Sequence, residues 1–168
     1  MAAMLAMGAL CCARCGAAQA GAASCAGSEW HSFDFWIGEW EVFDAASGKK
    51  DAHVRVAATS GGCALREEYE AVSGARGESL SSWDAAHHVW RQYWVSSRGE
   101  IVSIEGNLRD GAMVLEGAEE GTHEADLVRG VWKPEANGTV RETAWRSKDN
   151  GKTWQPWFDL VFRRATKR

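Results

Sequence analysis

Residues 33–44 read FDFWIGEWEVFD and place five aromatic side chains within eleven positions. From residue 36 onward the stretch alternates as an extended strand does, so that Trp36, Gly38 and Trp40 share one face. The opposite face carries two glutamates, which favour contact with water. The stretch therefore predicts a half-buried first strand over residues 36–44 rather than a binding surface.

The composition limits the kind of protein. A chain of 168 residues is long enough to form one domain whose hydrophobic core needs no metal ion. The formal net charge of -4 argues against a nucleic-acid partner, which normally requires a basic face. Ten tryptophans indicate large apolar surfaces, either internal or facing a ligand.

Residues 1–20 have the features of a secretory signal peptide. The apolar run over residues 4–13 is too short to span a bilayer, and an A-x-A cleavage sequence ends at Ala20. We therefore expect cleavage after Ala20 and export to the periplasm or the medium, with no membrane insertion of the mature chain. Lipid anchoring through Cys25 is a less favoured alternative, because the leucine of a lipoprotein box is missing before it.

The cysteines predict one disulfide bond. Three of the five cysteines lie in the predicted signal peptide and would be removed with it. The remaining pair, Cys25 and Cys63, would form a disulfide in an oxidising compartment and would tie an N-terminal arm over residues 21–32 to a glycine-rich turn. Two unrelated buried thiols are the alternative.

Residues 33–168 show the pattern of an all-β domain. Ten short runs of β-branched and aromatic residues recur at a spacing of roughly ten residues. Between them lie dipeptides that tolerate positive φ, as tight hairpin turns require. These dipeptides are Ser47-Gly48, Ser73-Gly74, Arg98-Gly99, Asp110-Gly111, Asn137-Gly138 and Asn150-Gly151. We expect an antiparallel up-and-down β-barrel of about ten strands, with a β-sandwich as the alternative.

Several motifs together resemble a known family. Gly38-Glu39-Trp40 is similar to the Gly-x-Trp signature of the calycins. With GGCALREEYEA, VWRQYWV, GAMVLEG and SKDNGKTW further along the chain, it resembles a bacterial lipocalin-like family without an established activity. The resemblance implies an exported barrel that holds a ligand. It also implies that Trp40 closes the bottom of the barrel and serves stability, while Phe33 and Phe35 cap that end.

The haem-binding nitrobindin-like barrels are more distant relatives of that family. Their axial histidine comes from the C-terminal part of the chain, whereas the last histidine in this sequence is His123. We therefore expect no haem and no other cofactor.

Residues 147–154 match the S-x-D-x-G-x-T-W "Asp box", which resembles the repeats of sialidase propellers. A propeller needs one copy in each blade, and this chain has a single copy. We interpret the motif as a hairpin turn in which Asp149 accepts backbone hydrogen bonds, Gly151 takes positive φ and Trp154 packs beneath.

The first candidates for a ligand site lie on a strand over residues 89–96. Trp90, Gln92 and Trp94 share one face of it. Facing inward, they would form an apolar wall with one polar group, as is typical of small-molecule pockets. Alternatively, the indoles fill the core and Gln92 satisfies a buried backbone group.

Charged residues on other strands supply further cavity candidates. Glu67 lies on the same face as Tyr69, Arg141 on the same face as Trp145, and Arg129 on another strand. An arginine suits a carboxylate or phosphate, so these residues could hold an anionic group. A buried Arg–Glu pair without a ligand, or simple exposure to solvent, explains them equally well.

The five histidines indicate no metal site. They are scattered at His31, His53, His87, His88 and His123. A zinc site needs three or four ligands that converge, and the adjacent pair would point to opposite sides of a strand. The sequence also contains neither a nucleophile elbow nor a phosphate-binding loop.

These observations lead to three hypotheses. The first is an exported barrel, monomeric or weakly dimeric, that binds a small, partly apolar ligand, with or without an anionic group, in a Trp-lined cavity. The second is an enzyme on the same barrel that uses Arg129, Arg141, Glu67 and Tyr69. The third is a filled barrel that acts through its surface on a protein partner. An interior cavity with convergent polar groups favours the first two, and a strongly perturbed pKa within it favours catalysis.

Overall fold

The computed structural model describes residues 25–120 and 126–166, so the predicted signal peptide over residues 1–20 and His123 lie outside the described residues. The described chain contains ten strands: β1 (Gly38–Asp44), β2 (Lys50–Thr59), β3 (Ala64–Ala71), β4 (Arg76–Asp84), β5 (Val89–Ser96), β6 (Ile101–Arg109), β7 (Ala112–Glu120), β8 (Asp126–Pro134), β9 (Val140–Ser147) and β10 (Gln155–Arg164). It also contains three short 3-10 helices at Ser28–His31, Asp34–Trp36 and Ser60–Gly62. None of these helices is long and apolar enough to cross a membrane.

The strands form one closed antiparallel barrel. Each strand pairs with the next along the chain, and β1 pairs with β10 to complete the ring. In the closing pair, Trp40 lies opposite Arg164. The predicted up-and-down barrel is therefore confirmed, and the sandwich alternative is wrong.

The predicted turn dipeptides connect the strands as expected. The loop between β6 and β7 contains only Asp110 and Gly111, with φ of 50° and 78°. Positive φ at both central residues is the geometry of the two-residue hairpin turn whose twist matches that of the strands. The glycines of the other five dipeptides also have positive φ.

The first strand begins two residues later than predicted. Residues Asp34–Trp36 form a 3-10 turn in which the backbone N–H of Trp36 donates to the carbonyl oxygen of Phe33 at 3.1 Å. The turn bends the chain into the end of the barrel, so Trp36 is buried although it does not lie on β1. Alternation alone did not predict this bend.

Aromatic side chains fill the end of the barrel where β1 begins. We call this group the aromatic plug, and it consists of Phe33, Trp36, Trp40, Trp90, Trp132 and Phe162. The rings of Phe33 and Trp36 stack with centroids 5.1 Å apart. The guanidinium of Arg164 lies 3.9 Å from the Trp40 ring and donates to the carbonyl oxygen of Ile37 at 2.7 Å. The plug closes this end of the barrel.

A disulfide bond holds the N-terminal arm against the barrel. Cys25 and Cys63 are joined, with their Cα atoms 5.2 Å apart, as the sequence predicted. The bond connects the segment before the plug to the turn between β2 and β3. It therefore fixes the chain that delivers Phe33 and Trp36 to the barrel end.

Candidate functional site

The barrel interior beyond the plug is a cavity of about 400 Å3. It opens at the end opposite the plug, where Asp51, Ser73, Arg76, Arg98 and Trp157 form the rim. Trp132 belongs to the plug and also borders the cavity, so it separates the two. This volume lies within the range of small-molecule pockets.

Much of the cavity wall is apolar. Trp94 on β5 contacts Tyr69 on β3 edge to face, with ring centroids 5.7 Å apart. Aliphatic side chains from four other strands complete this part of the wall: Val102, Ile104, Val128, Ala144 and Leu160. A ligand with an apolar body would therefore contact both aromatic and aliphatic groups.

Glu67 on β3 places a carboxyl group in this wall. Its side chain is only 6% exposed, and one carboxyl oxygen accepts a hydrogen bond from Ser79 Oγ at 2.8 Å. Burial raises the pKa of Glu67 to about 7, against the smaller opposing effect of that hydrogen bond. Glu67 therefore gains and loses a proton near neutral pH.

Glu142 on β9 places a second carboxyl group in the cavity, from nearly the opposite side of the ring of strands. Its side chain is partly buried and lines the cavity. Burial raises the pKa of Glu142 well above its usual range, and the charge of Glu67 raises it further. Neither carboxyl group has an ion-pair partner among the described residues.

Two further polar side chains on the wall are already paired. The Tyr69 hydroxyl donates to the carboxylate of Asp51. Burial, and then this hydrogen bond, raise the pKa of Tyr69, so the phenol stays protonated. Gln92 Nε2 donates to Ser81 Oγ at 3.1 Å. Glu67 and Glu142 are thus the ionisable wall groups most available to a ligand.

Four of the predicted site residues lie together on the cavity wall: Glu67, Tyr69, Gln92 and Trp94. Trp90 shares their orientation but lies in the plug, where its indole N–H donates to Ser32 Oγ at 2.8 Å and to the carbonyl oxygen of Glu29 at 3.1 Å. Trp90 therefore lies nearer the plugged end of the barrel than the cavity does, and it does not border the cavity.

The other three predicted site residues do not reach the cavity. The structure instead places Arg129, Arg141 and Trp145 on the outer face. On β8, Val128 and Gly130 turn inward, and on β9, Glu142 and Ala144 do so.

Each of these arginines has an acidic partner outside the barrel. Arg129 Nε donates to Glu116 at 2.8 Å, and Arg141 forms a two-bonded pair with Asp159 at 2.8 and 2.5 Å. The cavity floor is consequently acidic, and the arginines that border the cavity lie at its rim.

Two important cavity residues were not singled out from the sequence. Glu142 lies between the inward positions of Val140 and Ala144, and Trp132 follows Val128 and Gly130 at the same spacing. An acidic residue within an apolar alternating face was the signal that identified Glu67. Glu142 has a similar pattern around it, but the opposite face of β9 carries Arg141 and Trp145 and is equally mixed, so the signal did not single out Glu142.

The Asp box forms a hairpin turn whose polar groups are occupied. Asp149 Oδ1 accepts from the backbone N–H of Thr153 at 2.8 Å, and its Oδ2 accepts from Thr153 Oγ1 at 2.7 Å. These bonds hold the pKa of Asp149 down at about 2. Trp154 Nε1 donates to the carbonyl oxygen of Gly151 at 3.1 Å. The motif therefore stabilises the turn between β9 and β10.

The described residues contain no cluster of three or more His, Cys, Asp or Glu side chains that could hold a metal ion. Fold and cavity together define a closed ten-stranded β-barrel with an acidic internal pocket. No protein-family model and no curated protein matches the chain.

Proposed function

We propose that this protein is an exported, calycin-like barrel that binds a small, partly apolar molecule in its cavity. The observation that carries the proposal is a cavity of about 400 Å3 whose wall combines Trp94 and Tyr69 with the carboxyl groups of Glu67 and Glu142. Apolar walls with a few convergent polar groups are typical of small-molecule sites. The Cys25–Cys63 bond supports export, since disulfides persist in oxidising compartments.

The distribution of charge limits how such a ligand would lie. An anionic group on the floor would meet Glu67 and Glu142, and no arginine lines the floor among the described residues. An anionic group, where a ligand carries one, would instead lie near Arg76 or Arg98 at the rim. This replaces the expectation that Arg129 or Arg141 holds such a group.

A mass measurement tests ligand binding directly. Native mass spectrometry of the full chain, purified from its host, should show an added mass that disappears on denaturation. Trp94→Ala should reduce the fraction of protein carrying this mass. Tyr93→Ala should not, because Tyr93 lies on the outer face of the same strand and is 48% exposed. Absence of any added mass, together with unchanged tryptophan fluorescence across fatty acids, aromatic acids and amines, would contradict the proposal.

A second candidate function is acid–base catalysis in the same cavity. Two carboxyl groups with raised pKa values share one enclosed space, an arrangement typical of catalytic sites. Two carboxyl groups whose pKa values are raised to different extents can act as acid and base. Incubating the native protein and Glu67→Gln with the co-purified compound distinguishes the two functions. Conversion by the native protein alone supports catalysis, and unchanged compound supports binding.

A further inference from the structure

The geometry points to a protonated amine as the polar group of the ligand, held between the carboxyl groups of Glu67 and Glu142 with its apolar body against Trp94. The inference rests on the proposed function, namely that the cavity binds a small molecule. It adds the chemical class of the ligand and its orientation.

The charges around the cavity are unbalanced at its floor. Within the described chain, the floor carries Glu67 and Glu142 and no basic residue, and Asp51 lies at the rim. Burying carboxyl groups without a partner is costly, so such groups normally have a counter-charge or a functional role. An ammonium group supplies the missing positive charge to both carboxylates at once.

A weakly bonded donor lies beside Glu142. Trp132 is only 3% exposed and borders the cavity, and its buried indole N–H makes only a weak contact with the Glu142 carboxyl group that falls short of hydrogen-bond geometry. Buried donors nearly always have an acceptor. The indole lies near enough to Glu142 to favour its ionised form. Binding of a cation would ionise Glu142 and give this donor a charged acceptor.

Aromatic rings lie around the two carboxyl groups. Trp94, Tyr69 and Trp132 all border the cavity. Ring faces attract ammonium groups, most strongly where water is excluded. The same rings provide an apolar surface for the rest of the ligand. A carboxylate of equal size would gain neither the ring attraction nor the ion pairs.

Proton release follows from this geometry. Burial raises the pKa values of both Glu67 and Glu142, so each carboxyl group keeps its proton to a higher pH than a free carboxyl group, and an amine that needs both as carboxylates must displace protons. The other titratable groups facing these two are Asp51 and Tyr69. The titratable groups at the rim of the cavity also include Asp44, Arg76, Arg98 and Glu100. Affinity for an amine should therefore rise between about pH 5 and about pH 8, whereas affinity for a neutral hydroxyl compound should not.

Matched compounds test the inference with the full chain. The probes are 2-phenylethylamine, 2-phenylethanol and 3-phenylpropanoate, together with the corresponding series on a linear alkyl chain. Binding is measured by calorimetry and tryptophan fluorescence at pH 8. We expect the amine of a series to bind at least about tenfold more tightly than the alcohol, a difference of about 1.4 kcal/mol. We also expect net release of protons at about pH 6, below the raised pKa of Glu67 of about 7, measured in buffers of different ionisation enthalpy.

Variants then locate the amine. Glu67→Gln with Glu142→Gln should weaken amine binding by about tenfold or more and leave alcohol binding nearly unchanged. Glu68→Gln is the matched control, because the next residue along β3 lies on the outer face and pairs with Arg66. Proton release is measured on the native protein, so it remains decisive even where the double variant fails to fold.

The outcomes separate the two proposals. An alcohol or carboxylate that binds as tightly as its matched amine, or amine binding without proton release, overturns the amine inference and leaves the binding function standing. Absence of binding by every compound in both series, together with no co-purifying mass, overturns both.

Discussion

Trp94 lies so close to Gly77 that a Cβ atom at position 77 would be 2.2 Å from Cη2 and from Cζ2 of the indole ring. The same relationship recurs on β8, where a Cβ at Gly130 would lie 2.6 Å from Cη2 of Trp132. Side chains this close cannot coexist without movement. These two strand glycines therefore set how far both cavity indoles project, and with them the shape of the pocket.

Gly77→Ala is expected to displace Trp94 toward the cavity. Overpacking of this kind costs about 1–3 kcal/mol of stability, and the displaced ring should also reduce the space for a ligand. Urea denaturation measures the first effect, and titration with a cavity ligand measures the second. Gly77 has no positive φ, so backbone strain does not contribute.

A compensating change distinguishes steric displacement from other causes. In Gly77→Ala combined with Trp94→Leu, the smaller side chain leaves room for the added methyl group. The double variant should then be more stable than the sum of the two single effects predicts. Strict additivity would contradict the proposed contact.

Glu67→Gln should reduce the pH dependence of stability. Burial raises the pKa of Glu67 from 4.5 to about 7, so in the interval between these values the folded protein holds a proton that the unfolded chain has released. The resulting stabilisation is complete below the unfolded pKa and is lost as the pH rises through about 7. From about pH 5 to about pH 8, native stability should fall by the order of 2–3 kcal/mol more than that of the variant.

Denaturation curves at several pH values provide the measurement. Glu142, whose pKa is also raised, contributes with the same sign, so Glu67→Gln should remove only part of the slope. Glu68→Gln should retain the native slope, because that side chain lies outside the barrel. Equal slopes for the native protein and Glu67→Gln would show that Glu67 titrates normally.

The strands and turns were predictable because their signals are local. Asp110-Gly111 and Asn150-Gly151 adopt the positive φ values that their residue types permit, whatever lies elsewhere in the chain. Alternation between neighbouring residues likewise identified each strand. The count of ten strands and their antiparallel order followed from the turns.

The face that each strand turns inward was harder to predict on β9. One face carries Arg141 and Trp145, and the other carries Glu142 and Ala144. Both faces mix polar and apolar residues, so local pattern does not decide between them. The pairing of β9 with β8 does decide which face turns inward. Ala144 lies opposite Gly130, which faces the cavity on β8. Pairing between strands is not visible in one strand's sequence.

The position of the plug along the barrel axis was also beyond local reasoning. Trp90 and Trp94 share a face of β5, yet only Trp94 borders the cavity. The difference arises because the chain before β1 brings Phe33 against Trp90, with ring centroids 5.6 Å apart. A contact between residues so far apart in sequence depends on the closed fold.

Removal of the disulfide should destabilise the protein. The bond joins residues separated by 38 positions. Closing a loop of this length lowers the conformational entropy of the unfolded chain, which raises the free energy of unfolding by about 4 kcal/mol. Cys25→Ser with Cys63→Ser should lower the urea midpoint to that of the reduced native protein. A midpoint equal to that of the oxidised native protein would contradict a stabilising role for the bond.

Trp90→Ala should damage folding rather than ligand selectivity. Trp90 is 1% exposed, packs against Phe33 and donates to Ser32 and Glu29, so truncation leaves a cavity and an unpaired hydroxyl group. Truncation of a buried tryptophan to alanine lowers the free energy of unfolding by about 3–5 kcal/mol. Tyr93→Ala on the outer face of β5 should reduce the free energy of unfolding far less. Trp94→Ala should reduce the free energy of ligand binding by more than it reduces the free energy of unfolding. Denaturation midpoints and ligand titrations on the three variants measure this contrast. A native-like midpoint for Trp90→Ala would mean that the plug tolerates the loss and that Trp90 does not support the closed end of the barrel.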